Sequence, residues 1–249
     1  MSEQLRTEYG ERPSVHRECL SLLHTSDLHL GSDAYPADAL KGFDQTLELA
    51  RERGVDGLLI AGDLFDSFRT PLDTVAYAFR GLEELERPVF LLPGNHDTLL
   101  TGAYGVSDSL PHLPSNVHLL RENAGELITS PALQLSVWGK PVYDHDPSFL
   151  PLEGLQSRPP QGWYVAMAHG LVMDGHTGLA RSSPIAQEQL GHADCDYIAL
   201  GHVHVFRDVT HGGPPAFYCG APSGAQRRTV ALVTLDPASG VTVESISLA

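Results

Sequence analysis

Cysteine is scarce in this chain and basic residues are outnumbered, and each shortage limits what the protein can be. Its 249 residues hold three cysteines, Cys19, Cys195 and Cys219. Far apart and odd in number, they supply neither a disulfide framework nor a zinc knuckle. They fit a reducing cytoplasm, each as a small buried hydrophobe. Lys and Arg number 16 against 31 Asp and Glu, a formal net charge of −15. Chains that grip nucleic acid through its phosphates need the opposite balance, so the charge argues against strong non-specific binding of that kind. Carboxylates that bind metal would be offset locally by their cations. No apolar stretch approaches the roughly 18 residues of a membrane span. Met1 to Glu18 lacks the apolar segment of a secretory signal, and reads as a flexible extension ahead of a single domain over 19–249. Repeats, low-complexity tracts and long charge runs are absent as well. What is left, 42% hydrophobic and 19% charged, is an ordinary globular composition at a length that large α/β folds reach as one unit.

Short apolar runs alternate with helical patterns. Leu20–Thr25, Gly57–Ala61 and Val89–Leu92 read as buried strands. Between the first two, Leu40, Phe43, Leu47 and Ala50 recur at helical spacing up to Arg53, and Gly54 is the stop. Between the second and third, Thr70-Pro71 gives a helix start with a capping hydroxyl and a proline at the first helical position. Leu72, Val75, Phe79 and Leu82 form the buried face of that helix, and Pro88 closes it. Such a β-α-β-α-β opening predicts parallel strands joined by crossover helices. Later strands are expected at Gln134–Trp138, Tyr164–Ala168, Tyr197–Leu200, Phe217–Cys219, Val230–Leu235 and Val241–Ser247, the last three antiparallel. Ser183-Pro184 starts one more short helix, ended by Gly191, and the proline-rich stretch 144–161 is expected as a long surface loop. The class is α/β, with two packed mixed β-sheets flanked by helices.

Polar residues gather behind the strands. Asp27-Leu28-His29 follows the first, Gly62-Asp63-Leu64-Phe65-Asp66 the second and Gly94-Asn95-His96-Asp97 the third. His169-Gly170 and Gly201-His202-Val203-His204 follow two of the later ones. Taken singly, each is more often a turn or a loop start than a ligand. Five in order, each at the carboxyl end of a strand where α/β sites assemble, are a metal-binding constellation. Alternate residues of an extended segment point the same way, so Asp27 with His29, and His202 with His204, can converge on a metal pair. Carboxylate, imidazole and amide oxygen together suit Mn²⁺, Fe or Zn²⁺ better than Mg²⁺.

These segments resemble the calcineurin-like metallophosphoesterases, and within them the SbcD-type DNA-repair exonucleases. The likeness is carried by HTSDLHLG (His24 to Gly31), LLIAGDLFD (Leu58 to Asp66), PGNHD (Pro93 to Asp97), AHG (Ala168 to Gly170) and GHVH (Gly201 to His204). Trp138 to Val142 and Tyr218 to Pro222 also look like later segments of those nucleases. The resemblance implies a four-layer αββα sandwich and two divalent cations, Mn²⁺ foremost. It assigns Asp27, His29 and His204 to one metal, Asn95, His169 and His202 to the other, and Asp63 to both. Two cations about 3.5–4 Å apart do need a shared anionic ligand. A metal-bridging hydroxide would then attack phosphorus. His96 is left free to face the substrate, oriented by Asp66, a partnership expected to raise its pKa. Asp97 is expected as a turn or supporting residue. His16, His24, His112, His118, His145, His176, His192 and His211 match no ligand position, and surface or packing roles are expected for them. Arg69, Arg181, Arg207, Arg227 and Arg228 could border the cleft and hold phosphate.

The activity implied is hydrolysis of phosphodiesters, by resemblance as an exonuclease on DNA with an ATPase partner. SbcD-type nucleases continue into a capping domain, whereas Gly224 to Ala249 leaves room only for closing strands, so a catalytic domain alone is expected. An alternative is a phosphodiesterase or phosphatase for small nucleotides or other small esters, since the same metal pair serves both. A non-catalytic scaffold ranks last, because all seven ligands and His96 are kept. No membrane association is expected.

Overall fold

The computed structural model describes residues 18–34, 36–97, 100, 112–143, 148–173, 183–224 and 227–249. The expected N-terminal extension, residue 18 apart, lies outside these residues, as do His16, His145, His176 and Arg181. The opening follows the expected pattern: β1 (Leu20–Thr25), α1 (Pro36–Arg53), β2 (Gly57–Ala61), α2 (Leu72–Glu83) and β3 (Val89–Leu92). The three strands pair in parallel, as crossover helices require. Helix α1 stops because Gly54, at φ 59°, turns left-handed and returns its amide to the Arg51 carbonyl. The start of α2 differs from expectation. The Thr70 hydroxyl donates to the Leu30 carbonyl at 3.3 Å, and no side chain caps the helix. Phe43, Leu47, Ala50, Val75, Phe79 and Leu82 are buried, whereas Leu40 and Leu72 are 38% and 47% exposed; Ala39 takes the place of Leu40 on the buried face of α1, and the stripe of α2 begins at Val75.

The remaining elements are β4 (Val117–Leu119), β5 (Glu126–Ser130), β6 (Leu135–Gly139), β7 (Trp163–His169), β8 (Leu171–Met173) and β9 (Pro184–Ala186), then α3 (Gln187–His192), β10 (Tyr197–Gly201), β11 (Phe206–Asp208), β12 (Ala216–Cys219), β13 (Thr229–Asp236) and β14 (Gly240–Ser247). One sheet runs β14-β13-β1-β2-β3-β4 and the other β11-β12-β10-β7-β6-β5, with β8 and β9 paired apart. Two expectations fail here. β12 joins the second sheet parallel to β10, and only β13 and β14 form the antiparallel hairpin that closes the first sheet against β1. Pro184 begins a short strand instead of a helix, and α3 starts at Gln187.

Period-two alternation sorts the strand residues into layers. Leu22, Leu59, Phe90 and Leu92 face Val137, Val165, Met167, Tyr197 and Cys219 between the sheets. Leu23, Leu58, Ile60 and Leu91 point the other way, onto α1 and α2. Trp138, Tyr164, Ile198 and Tyr218 form the outer face of the second sheet, beneath α3 and Leu152. Leu152, 5% exposed, shows that the expected surface loop is anchored in the core. Cys195 and Cys219 are buried as expected, but Cys19 is exposed. No described helix is long and apolar enough to cross a membrane.

Candidate metal centre

The carboxyl ends of β1, β2 and β3 meet those of β7 and β10 along one rim, where the sheets come together. The Ala61 carbonyl at the end of β2 faces His169 Nδ1 at 2.9 Å, and the His202 amide reaches Asp27 Oδ2 at 3.0 Å. Glycine permits this approach: a Cβ at Gly201 would collide with the Ala61 carbonyl, and one at Gly62 with the His169 ring.

Four of the polar residues on this rim have left-handed backbones, Asp27 (φ 55°), His29 (50°), Asp63 (56°) and His202 (95°). Each such residue costs about 1–3 kcal/mol and persists only where its surroundings over-determine it. Much of that determination comes from a ladder between the loops after β1 and β2. The amides of Asp27, His29 and Leu30 donate to the carbonyls of Gly62, Asp63 and Leu64 at 3.0, 3.0 and 2.9 Å. Asp97 adds a clamp. Its buried carboxylate accepts the amides of Phe65 (2.7 Å), Leu64 (3.0 Å) and Gly94 (3.1 Å), tying the loop after β3 to the loop after β2.

This scaffold converges the predicted ligands. Asp27 Oδ1 lies 3.3 Å from His204 Nε2, and Asp63 Oδ2 lies 3.3 Å from His169 Nε2 and 3.9 Å from His29 Nε2. Asn95 Oδ1 lies 3.0 Å from His169 Nε2, and the His202 ring packs edge-on to His169 at 5.2 Å. Three groups have ligand atoms all within 4.8 Å of one another: Asp27, His29 and His204; Asp27, Asp63 and His169; and His29, Asp63 and His96. The donors fit a divalent cation. Asp27 Oδ1 and His29 Nδ1 are buried without a hydrogen-bond partner, and a carboxylate oxygen so placed among imidazoles calls for a positive charge. Residues 20–206 match the family model for calcineurin-like phosphoesterases. The chain belongs to this family.

Its relatives vary in what their names record. This calcineurin-like phosphoesterase is similar to the uncharacterized metallophosphoesterase YhaO of Bacillus subtilis, 25% identical over 234 residues, covering 85% of this chain and 54% of that protein. It is also similar to the SbcD component of the nuclease SbcCD of Bacillus subtilis, 22% identical over 284 residues, covering 92% of this chain and 70% of that one. The chain therefore spans little more than half of the first relative's length. A dimetal phosphatase from Danio rerio shares the fold, with a TM-score of 0.53 at 11% identity over 92% of this chain and 99% of that one. As a calcineurin-like phosphoesterase the protein is a phosphoester hydrolase, and its family and side-chain groups together point to a two-metal site.

Charge within the phosphoesterase site is balanced pairwise. Burial alone would raise the Asp63 pKa, but the His169 charge beside it holds the carboxyl well below the usual range. Burial would lower the pKa of His169, yet Asp63 pushes it up to about 9. A metal ligand must be a neutral imidazole, so a cation held by His169 would take the place of that proton. The Nδ1–H of His169 donates to the Ala61 carbonyl, which leaves Nε2 facing Asp63 and Asn95. Burial, followed by the charge of Asp63, pushes Asp97 up to about 7 against its three amide donors.

Asp66 meets His96 in an unexpected way. Its backbone carbonyl, not its carboxylate, accepts from His96 Nδ1 at 2.7 Å, while the carboxylate lies 3.3 Å from His29 Nδ1. A cavity of about 500 Å³ is lined by Asp27, His29, Asp63, Asp66, His96, His202 and His204 together with Ser32, Ala34, Ala39, Ser223 and Gly224. His169 lies beneath it, fully buried. None of the predicted arginines lines this cavity among the described residues. Arg228 pairs with Asp38 at 2.7 Å, Arg227 donates to the Ser247 hydroxyl, and the Arg69 guanidinium covers the Phe68 ring at 5.1 Å. Asp97 is thus the supporting residue of its two expected roles, but the amides it clamps were not legible beforehand, because Gly-Asn-His-Asp reads equally well as a turn.

Proposed function

We propose that this domain is a two-metal phosphodiesterase that acts on the ends of DNA. Asp27, His29 and His204 would hold one cation, Asn95, His169 and His202 the second, and Asp63 both, with Mn²⁺ the first candidate and Fe or Zn²⁺ the others. When bound, the pair supplies Lewis acidity and a nucleophile active near neutral pH. The protein's own contribution beside the metals is His96. Its Nδ1–H is engaged by the Asp66 carbonyl, so Nε2 is the nitrogen turned to other work. From the cavity wall it can hold a phosphate oxygen or pass a proton to the leaving alkoxide.

The observation that carries the reading is that five predicted ligands, Asp27, His29, Asp63, His202 and His204, line one cavity with His96, while Asn95 and His169 meet beside Asp63. The DNA substrate draws on the match to the SbcD component of the SbcCD nuclease along 92% of the chain. With it come two further parts of the proposal, an ATPase partner and a reducing cytoplasm. A second reading, hydrolysis of small nucleotides or other small esters, is favoured by the cavity itself. A volume of about 500 Å³ admits one small ligand, and no Lys or Arg lines it among the described residues.

A Mn²⁺-dependent panel of single-stranded DNA, duplex ends, cyclic nucleotides and phosphomonoesters decides between the two, run on wild type and His96→Ala. Nucleotide release from DNA ends is expected, slowed by about 10²–10⁴ in the variant at unchanged metal content. Turnover confined to cyclic nucleotides or monoesters would install the second reading. A loaded protein inert toward both bis- and mono-p-nitrophenyl phosphate would be a scaffold, and wild-type rates in the variant would remove His96 from the chemistry.

A further inference from the structure

Ser26 precedes the first ligand and belongs to none of the metal-binding groups, yet its hydroxyl is fully buried against that ligand. Its Oγ lies 2.5 Å from Asp27 Oδ2, 3.1 Å from Cys219 Sγ and 3.3 Å from the Gly220 carbonyl. We propose that the Ser26 hydroxyl is a positioning group that locks the Asp27 carboxylate with Oδ1 turned to the metal. The proposal rests on the two-metal reading of the site.

The proton inventory allows little else. An ionised Asp27 can only accept, so Ser26 donates its single proton to Oδ2, a short charge-assisted bond. The Cys219 thiol, 3.1 Å from Ser26 Oγ, has the Gly220 carbonyl as its own acceptor at 3.2 Å, so neither group takes the Ser26 proton away from Asp27. The Ser26 hydroxyl thus sits between the end of β12 in one sheet and the loop after β1 in the other, with its proton on the Asp27 side. The His202 amide gives Oδ2 its second donor at 3.0 Å. Oδ2 is thereby satisfied by two donors, whereas Oδ1 meets only the His204 ring, with Nε2 at 3.3 Å. The two oxygens are chemically alike in the free side chain, and their neighbours have made them different. Asp27 also holds a left-handed backbone, so its side chain has no helix or strand to set its direction. Groups that hydrogen-bond a metal ligand from behind typically change metal affinity by about 10–100-fold when removed.

The test compares Ser26→Ala, Ser26→Thr and Cys219→Ala by Mn²⁺ titration calorimetry, and by melting with and without a chelator. Ser26→Ala is expected to weaken one of the two Mn²⁺ by about 10–100-fold while melting like wild type in chelator. Ser26→Thr keeps the hydroxyl and is expected to keep both ions tight. Cys219→Ala removes core packing and leaves the donor, so it should melt lower in chelator at unchanged Mn²⁺ affinity. Two equally tight Mn²⁺ in wild type and Ser26→Ala, with only the chelator melting point lowered, would overturn the lock and leave Ser26 structural. A wild type that binds no Mn²⁺ pair would overturn the two-metal reading beneath it.

Discussion

His24 is a histidine of β1 that the metal site does not use. It is fully buried, its Nδ1 lies 2.9 Å from the Tyr197 hydroxyl, and its Nε2 has no partner. Burial drives its pKa from 6.5 down to about 3, a shift that the Leu200 carbonyl and the Asp27 charge only moderate. The unfolded chain therefore binds a proton in this window that the folded chain refuses. Stability from His24 is complete above pH 6.5 and is lost as pH falls toward 3. His169 has the opposite sign: its pKa of about 9 gives stability present below 6.5 and lost as pH rises through 9. In chelator-treated protein, His24→Gln is expected to flatten the fall in unfolding free energy between pH 6.5 and 4.5. Urea titrations at three pH values would show it, and equal slopes in both proteins would refute it.

Among the elements, the loop after β3 depends on Asp97. Its carboxylate is the acceptor for three amides from two loops, and truncation leaves those donors orphaned in the interior. An unsatisfied buried donor costs about 1–3 kcal/mol, so Asp97→Ala is expected to cost on the order of 3 kcal/mol in denaturant unfolding without metal. Asp97→Asn keeps an acceptor and should cost less. A loss below about 1 kcal/mol for the alanine variant would mean that water replaces the carboxylate. Legibility at this scale followed length, β5 excepted: its five residues, Glu126–Ser130, were not foreseen as a strand. The opening strands and helices, 4 to 18 residues each, show their period and were placed within a few residues. The three-residue strands β4, β8, β9 and β11 cannot display an alternation, and none was foreseen.

For the molecule as a whole, the site is a joint between two sheets. Asp27, His29, Asp63 and Asn95 come from the first, His169, His202 and His204 from the second, and a shared cation would hold the two together. Metal that binds only the folded state adds about 2.7 kcal/mol at 100 times its dissociation constant. Loading chelator-stripped protein with Mn²⁺ is thus expected to raise the melting temperature by several degrees. Asp63→Asn should forfeit most of that gain, because the shared anionic ligand is what offsets repulsion between two cations. An undiminished Mn²⁺ gain in this variant would show that Asp63 is not shared.

The sequence by itself determined the parallel opening, the two-sheet class and the identity of the converging residues. Strand periodicity and the polar residue after each strand are local properties, written in consecutive positions. Three things were decided only in three dimensions. β12 chose the second sheet because Ala216 to Tyr218 pair with β10, a matter of register between strands that no local pattern encodes. Asp66 turned its carbonyl, not its carboxylate, toward His96. Ser26 and Asp97 acquired their roles because residues distant in the chain, Cys219 in one case and Leu64, Phe65 and Gly94 in the other, were brought within hydrogen-bonding distance. A ligand can be read from its residue type and spacing, but the group that aims it depends on which backbone and side-chain atoms the packing places behind it.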